Sequence, residues 1–199
     1  MLPGSRLTPR TAAKSSGRGR TGQLRSVSAR SIRAVTEPEI SFVRLPEVDI
    51  EAVVELLNEP RNARHMPLAG DPWTAESAAE WVVGKDAQWE SHGYGPWAVL
   101  VDGRFAGWGG FQAEENGADF ALVLAPEFWG YGEAIARRAL AVGFGELGLT
   151  DVLIALPYSR NPGRVVARFG FEPDGEVSYG DARFRQYRLT RATWSAANA

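Results

Sequence analysis

Apolar residues recur along this chain with two alternating periods, and each change of period marks an element. Ile40, Phe42 and the Arg44–Leu45 step suggest a first strand, and Asp49 is placed to cap a helix with Ile50, Val53, Val54 and Leu57 at helical spacing. A second helix is expected after Thr74, burying Ala78, Trp81 and Val82, with Glu76 near its positive end. Residues 97–101 and 104–112 read as strands around the Asp102-Gly103 turn, and Asn116-Gly117 repeats that signal ahead of a third strand, 119–125. Ala136, Leu140, Phe144 and Leu147 give 133–147 a helical face that Gly148 can end, and the apolar run 152–156 is a buried strand. A short helix over 164–169 and strands near 175–179 and 183–189 complete the pattern.

The resulting order, β, α, α, β, β, β, α, β, α, β, β, predicts an α/β (α+β) fold. Three consecutive strands with short connections make the central sheet mixed and mainly antiparallel, with helices on its faces, in place of a doubly wound parallel sheet. The 199 residues are enough for one well-cored domain, expected over 39–195, and a tail.

Composition narrows the chemistry. With no cysteine there is no disulfide, thiolate metal site or sulfur nucleophile, and His65 and His92 are the only imidazoles, so no metal site is expected. Both histidines read as loop or surface residues. No apolar run of membrane-spanning length and no apolar signal core are visible, so a cytoplasmic protein with no membrane partner is expected.

The net charge of −2 hides an asymmetry, because eight Arg and Lys residues precede the first acid, Glu37. The remainder holds 14 basic against 24 acidic residues, a body of about −10. Residues 1–38 are rich in Arg, Ser, Gly and Thr and poor in large apolar groups, so a disordered basic tail is expected there. Such a tail suits nucleic-acid contact, a transit peptide or a plain solvated extension. No aromatic residues stand among its arginines to stack bases, and the acidic body opposes broader contact, so nucleic acid is not an expected partner.

The stretch ALVLAPEFWGYGEAIARRAL, 121–140, runs from an apolar strand through a glycine-bearing loop directly into a helix. The first turn of a helix has free amides and the positive end of the dipole, and Gly130 and Gly132 would let an anion such as a pyrophosphate approach the backbone. Two glycines before a helix also serve turn geometry alone. The order of strand, Pro126, aromatic pair, Trp129-Gly130-Tyr131-Gly132-Glu133-Ala134 and amphipathic helix resembles motif A of the GNAT acetyltransferases, in the branch similar to ribosomal-protein N-terminal acetyltransferases. That branch is also similar in the preceding hairpin and in the terminal FRQYRLTRATW, 184–194. The family's Gln/Arg-x-x-Gly-x-Gly/Ala pattern falls on Trp129, Gly132 and Ala134, with Trp129 departing from the usual first residue.

This resemblance implies a sheet whose two central strands splay to form a cleft, and transfer of acetyl from acetyl-CoA, as cosubstrate, to a primary amine of a protein N-terminus or small molecule. Amides of Gly130, Tyr131, Gly132, Glu133 and Ala134 would hold the pyrophosphate, with Trp129 beside them. Backbone groups of Leu122, Val123 and Leu124 would pair with pantetheine, and a main-chain N–H of 119–125 would serve the oxyanion. SRNPGRVVARFGF, 159–171, resembles the family's Asn-x-x-Ser/Ala and Gly-Phe element. Here the Asn position holds Ser159, the Ser/Ala position Pro162 and the position of a catalytic Tyr Val166. Asn161 is then a shifted cofactor contact or an ordinary helix-start signal.

Direct transfer needs a base for the amine and a proton for the thiolate. Asp119 stands where related sequences often carry Glu, which implies the base, with Glu114 and Glu115 as weaker alternatives. Ser159 is the candidate donor to the thiolate. The acceptor loops would be 60–74 and 90–96, with Trp73, Trp89 and Trp97 nearby. A CoA-binding regulatory module without turnover is the alternative, suggested by the missing Tyr and Asn, and the sequence leaves a homodimer open.

Overall fold

The computed structural model describes residues 37–63, 71–161 and 163–198. Expectations for residues 1–36, His65 and the centre of the 60–74 loop fall outside them. The chain forms β1 (Ile40–Arg44), α1 (Ile50–Leu57), α2 (Pro60–Ala63), α3 (Ala75–Asp86), α4 (Gln88–His92), β2 (Pro96–Val101), β3 (Arg104–Glu114) and β4 (Gly117–Leu124). Then follow α5 (Gly132–Gly145), β5 (Asp151–Pro157), α6 (Gly163–Phe169), β6 (Glu172–Tyr179), β7 (Ala182–Thr190) and α7 (Arg191–Ala197).

Local signals set most boundaries. The Asp49 side chain accepts the Glu51 N–H to start α1, and Thr74 and Ser77 form a reciprocal cap on α3. Asp102 and Gly103 both take positive φ, 51° and 72°, as a two-residue hairpin requires. The second hairpin is displaced by one residue from its Asn-Gly signal. Glu114 pairs with Gly117, so Glu115 and Asn116 make the turn and Gly117 opens β4. Helix α7, which the apolar pattern left unassigned, starts where the Thr190 hydroxyl accepts the Thr193 N–H, and its Trp194 stacks on Phe144 with ring centres 5.9 Å apart.

The seven strands form one sheet in the order β1-β2-β3-β4-β5-β7-β6, with β4–β5 its one parallel junction. One face packs Val53, Leu56 and Leu57 of α1 and Ala78 and Val82 of α3 against Ala98 and Trp108. On the other, Ala136, Ala139, Leu140 and Phe144 of α5 meet Phe111, Val152 and Ile154. Both faces of the sheet are therefore covered, as the element order predicts. Trp97 is a core residue: it stacks on Phe42 at 5.0 Å and lies 5.2 Å from Trp89, a half-buried side chain whose indole N–H donates to the Pro96 carbonyl. Close packing explains Gly143, whose added Cβ would stand 2.4 Å from Cζ of the fully buried Phe111. Gly143→Ala is expected to lower Tm by several degrees even though alanine is the better helix former by about 1 kcal/mol, because overpacking a rigid core costs about 1–3 kcal/mol. A thermal melt checks this.

Candidate functional site

The centre of the sheet is open because β4 and β5 share a single register pair, Asp119 with Leu153. Beyond that point β5 pairs along its whole length with β7, and the outer edge of β4 is left without a strand. Ladder bonds in an antiparallel pair alternate in direction, and here their phase is visible. The carbonyls of Ala121 and Val123 face β3, each within 3.0 Å of where a Cβ on Gly109 or Gly107 would stand. The main-chain groups of Phe120, Leu122 and Leu124 are consequently turned to the open edge. Val123 is corrected in this respect: its amide and carbonyl belong to the β3 ladder. The gap is a cavity of about 470 Å³, lined along β4 from Asp119 to Leu124 and across from it by Ala155, Leu156 and Pro157.

One end of the cleft meets the start of α5. A 3-10 turn, Pro126–Tyr131, leads into Gly132, whose N–H bonds the Trp129 carbonyl, and no side chain caps the helix. Gly132 is helical, with φ −54°, and Gly130 is absent from the positive-φ residues, so backbone conformation demands neither glycine. Nor does protein packing. A Cβ at Gly130 would meet nothing within 4 Å, and one at Gly132 only Leu124 Cδ1 at 3.8 Å. What both glycines leave is clear space over an uncapped helix start. The Trp129 indole N–H (3.0 Å) and the Asn62 amide (3.2 Å) both donate to the Leu124 carbonyl, fixing the end of β4. Tyr131 is half-buried against Phe128, and the Glu133 carboxylate is engaged by Arg137 and Arg168.

Asp119 occupies the other end, where the strands part. It is 7% exposed and its Oδ1 has no hydrogen-bond partner among the described residues. Burial, and then the charge of Glu114, push its carboxyl up to about 7, against the opposing pull of the Ala155 N–H and the Lys85 ammonium. Lys85 Nζ donates to the side-chain Oε1 of Gln112, and Gln112 stands directly opposite Asp119 in the β3–β4 register. The Tyr179 phenol is pushed up by burial and then by the Asp119 and Glu114 charges.

Of the residues singled out in the sequence, Asp119, Leu122, Val123, Leu124, Trp129 and Gly132 line the cavity, with Gly130, Tyr131, Glu133 and Ala134 at the adjoining helix start. Ser159 and Asn161 do not. Ser159 is exposed in the turn after β5, where Pro157 and Arg160 supply the lining instead, and the Asn161 side chain accepts the Gly163 N–H at 3.0 Å to begin α6. The asparagine is a helix-start residue by geometry. His92 is an exposed residue in the last turn of α4, and no group of three or more potential metal ligands occurs among the described residues. The sequence reading passed over Asn62, Ala155, Arg160 and Phe184, all in the lining. Arg160 is exposed and has no ion pair among the described residues, and partial desolvation beside the cleft lowers the proton affinity of its guanidinium.

The sequence model of the acetyltransferase (GNAT) domain family matches residues 40–172. Among solved structures, the chain is similar to an acetyltransferase from Agrobacterium tumefaciens, at 20% identity and a TM-score of 0.62, covering 77% of this chain and 91% of that one. A GNAT-family acetyltransferase from Bacillus anthracis is similar at 18% identity and TM-score 0.62, over 78% of this chain and 98% of that one. The spermidine N-acetyltransferase from Vibrio cholerae, solved with CoA and spermine, is similar at 15% identity and TM-score 0.61, over 78% and 98% of the two chains. At these identities the solved structures show the shared fold.

Proposed function

This chain belongs to the acetyltransferase (GNAT) domain family, and on that premise we propose that it transfers acetyl from acetyl-CoA to a primary amine by direct attack. One observation carries the reading: an open strand edge joins an uncapped helix start with unexplained glycines to a buried carboxyl that titrates near neutrality. Each part answers a need of the reaction. Amides from Gly130 to Ala134, in the space the glycines leave, would take the pyrophosphate. The outward main-chain groups of Leu122, with the Phe120 carbonyl and the Leu124 N–H, would pair with the pantetheine amides as a further strand does, the Leu124 carbonyl being held by Trp129 and Asn62.

At the vertex, the amine nitrogen forms its bond to the acetyl carbon as the carbon–sulfur bond breaks, Asp119 takes the proton that the nitrogen gives up, and the sulfur leaves with the bonding pair as the CoA thiolate, protonated from solvent. A carboxylate titrating near neutrality suits this role, since it accepts and releases a proton at modest cost. The acceptor is an amine on a small molecule or a protein N-terminus, the latter as in the ribosomal-protein branch that the sequence resembles. The spermine bound to the Vibrio cholerae relative supports a cationic amine. No helix among the described residues is long and apolar enough to cross a membrane.

Ligand that binds only the folded state raises Tm by mass action, so CoA and acetyl-CoA are expected to stabilise the protein where NAD and ATP do not. Thermal melts with each compound check binding, and acetyl-CoA consumption against polyamines, aminoglycosides and peptides with free N-termini checks turnover. Equal shifts with every nucleotide would overturn the cofactor assignment. Selective CoA binding with no consumption against any amine would favour the regulatory module.

A further inference from the structure

Helix α3 buries Ala78 and Val82, and the next inward position of that stripe, three residues on, is Lys85. A lysine at an inward helical position is costly, because its ammonium gives up water that an apolar residue would not need. Burial indeed lowers its proton affinity, opposed by the charges of Glu114 and Asp119. The side chain is not left to roam. Arg44 Nε holds Asp86 at 2.6 Å on one side of it, and the Gln88 side chain accepts the Ala113 N–H at 2.9 Å on the other, tying the end of α3 to β1 and the start of α4 to β3. Lys85 then reaches the side-chain Oε1 of Gln112, the cross-strand neighbour of Asp119.

We propose that Lys85, fixed through Gln112, is the positioning residue that keeps Asp119 in its ionised, proton-accepting form against the opposing charge of Glu114. It touches no reacting atom. Gln112 of β3 stands opposite Asp119, and the groups that act on its charge are Glu114 of β3, Lys85 of α3, the Tyr179 phenol of β6 and the Ala155 N–H of β5. Arg188 of β7, level with Leu153, is committed to Asp151 and Asp174. Among the described residues Lys85 is therefore the one cation set to oppose Glu114 at this carboxylate. Without it, a carboxyl buried beside a second carboxylate keeps its proton at neutral pH and cannot serve as a base.

The inference rests on Asp119 acting as the base, so the test separates the two ideas. The Asp119 carboxyl carbon is followed by NMR from pH 4 to 10 in the free protein, assigned by its loss in Asp119→Asn, and kcat/KM is measured over the same range. Lys85→Met is expected to move the NMR midpoint up by about one pH unit and Glu114→Gln to move it down, with Lys85→Arg restoring the wild-type value. The acid limb of kcat/KM should follow in each variant. A midpoint unmoved in Lys85→Met overturns the role of Lys85 whatever the catalytic data. Midpoints that move while the limb stays fixed also overturn it, and place the failure in the assignment of Asp119 as base.

Discussion

Asp119→Asn is expected to lower kcat/KM at pH 7 by about 10²- to 10⁴-fold, the usual worth of a positioned general base, while leaving CoA affinity unchanged. The deficit should shrink as pH rises, because an amine already deprotonated in solution needs no base, and a structural aspartate would give no such recovery. Wild-type kcat/KM should climb through about pH 7, where the buried carboxyl loses its proton, and then level off. Stability should move the opposite way to activity. The folded state keeps the Asp119 proton up to about 7, whereas the unfolded chain releases it near the ordinary 3.8. Between these values the folded state binds the extra proton, so stability present at acid pH is lost as pH rises. Asparagine carries no such charge. The variant should therefore melt close to wild type at pH 4 and several degrees above it at pH 8. A rate near wild type at pH 7 would exclude Asp119 and turn attention to Glu114, Glu115 or main-chain-held water.

Such a trade, stability given up to keep an ionisable group in a dry place, is hard to read from a chain. Asp119 follows a hairpin signal, where an acid is ordinarily a solvated strand end. The groups that act on it, Leu153, Ala155, Lys85 and Tyr179, lie from 34 residues before it to 60 after. The end of the cleft proposed for the cofactor has its parts contiguous in sequence, with the last residues of β4, the glycine loop and the first turn of α5 falling within 122–134, so this strand–loop–helix arrangement was legible. The opposite wall was not. Ala155, Arg160 and Phe184 become neighbours only once β5 leaves β4 for β7, and Asn62 arrives from α2, 62 residues before the Leu124 carbonyl it binds. Counting back from Gly170-Phe171 put weight on Ser159 and Asn161, whereas the turn after β5 exposes the serine and spends the asparagine on α6.

The fold itself was more readable than the site, because its strands and longer helices each carry a periodic apolar face that local chemistry can bound. Helix α7 escaped, being seven residues long with a single buried large side chain, Trp194, too few for a period. Lys85 shows a signal that was present and unread. It breaks the Ala78–Val82 stripe at the position where a third small or apolar residue belongs, and a charge at such a position marks a group held inside for its chemistry.

Gly132→Asp is expected to weaken CoA binding by about 10²-fold or more, roughly 3 kcal/mol, without loss of fold. Residue 132 is already helical, at φ −54°, so any L-residue adopts its conformation freely, and its Cβ would lie an ordinary 3.8 Å from Leu124 Cδ1. As the first residue of α5 it is also a position where a carboxylate suits the helix dipole, adding about 0.3–1 kcal/mol to stability. The substitution thus helps the helix while filling the anion's place with a negative charge of its own. That opposition makes the result readable: a melt at or above the wild-type temperature together with lost CoA affinity, measured by calorimetry, assigns the pyrophosphate to this helix start. Gly132→Ala, which adds a methyl group and no charge, should cost much less affinity and so divides repulsion from crowding. Full CoA affinity in the aspartate variant would mean that the phosphates lie elsewhere, with the unpaired Arg160 guanidinium on the opposite wall as the next group to replace.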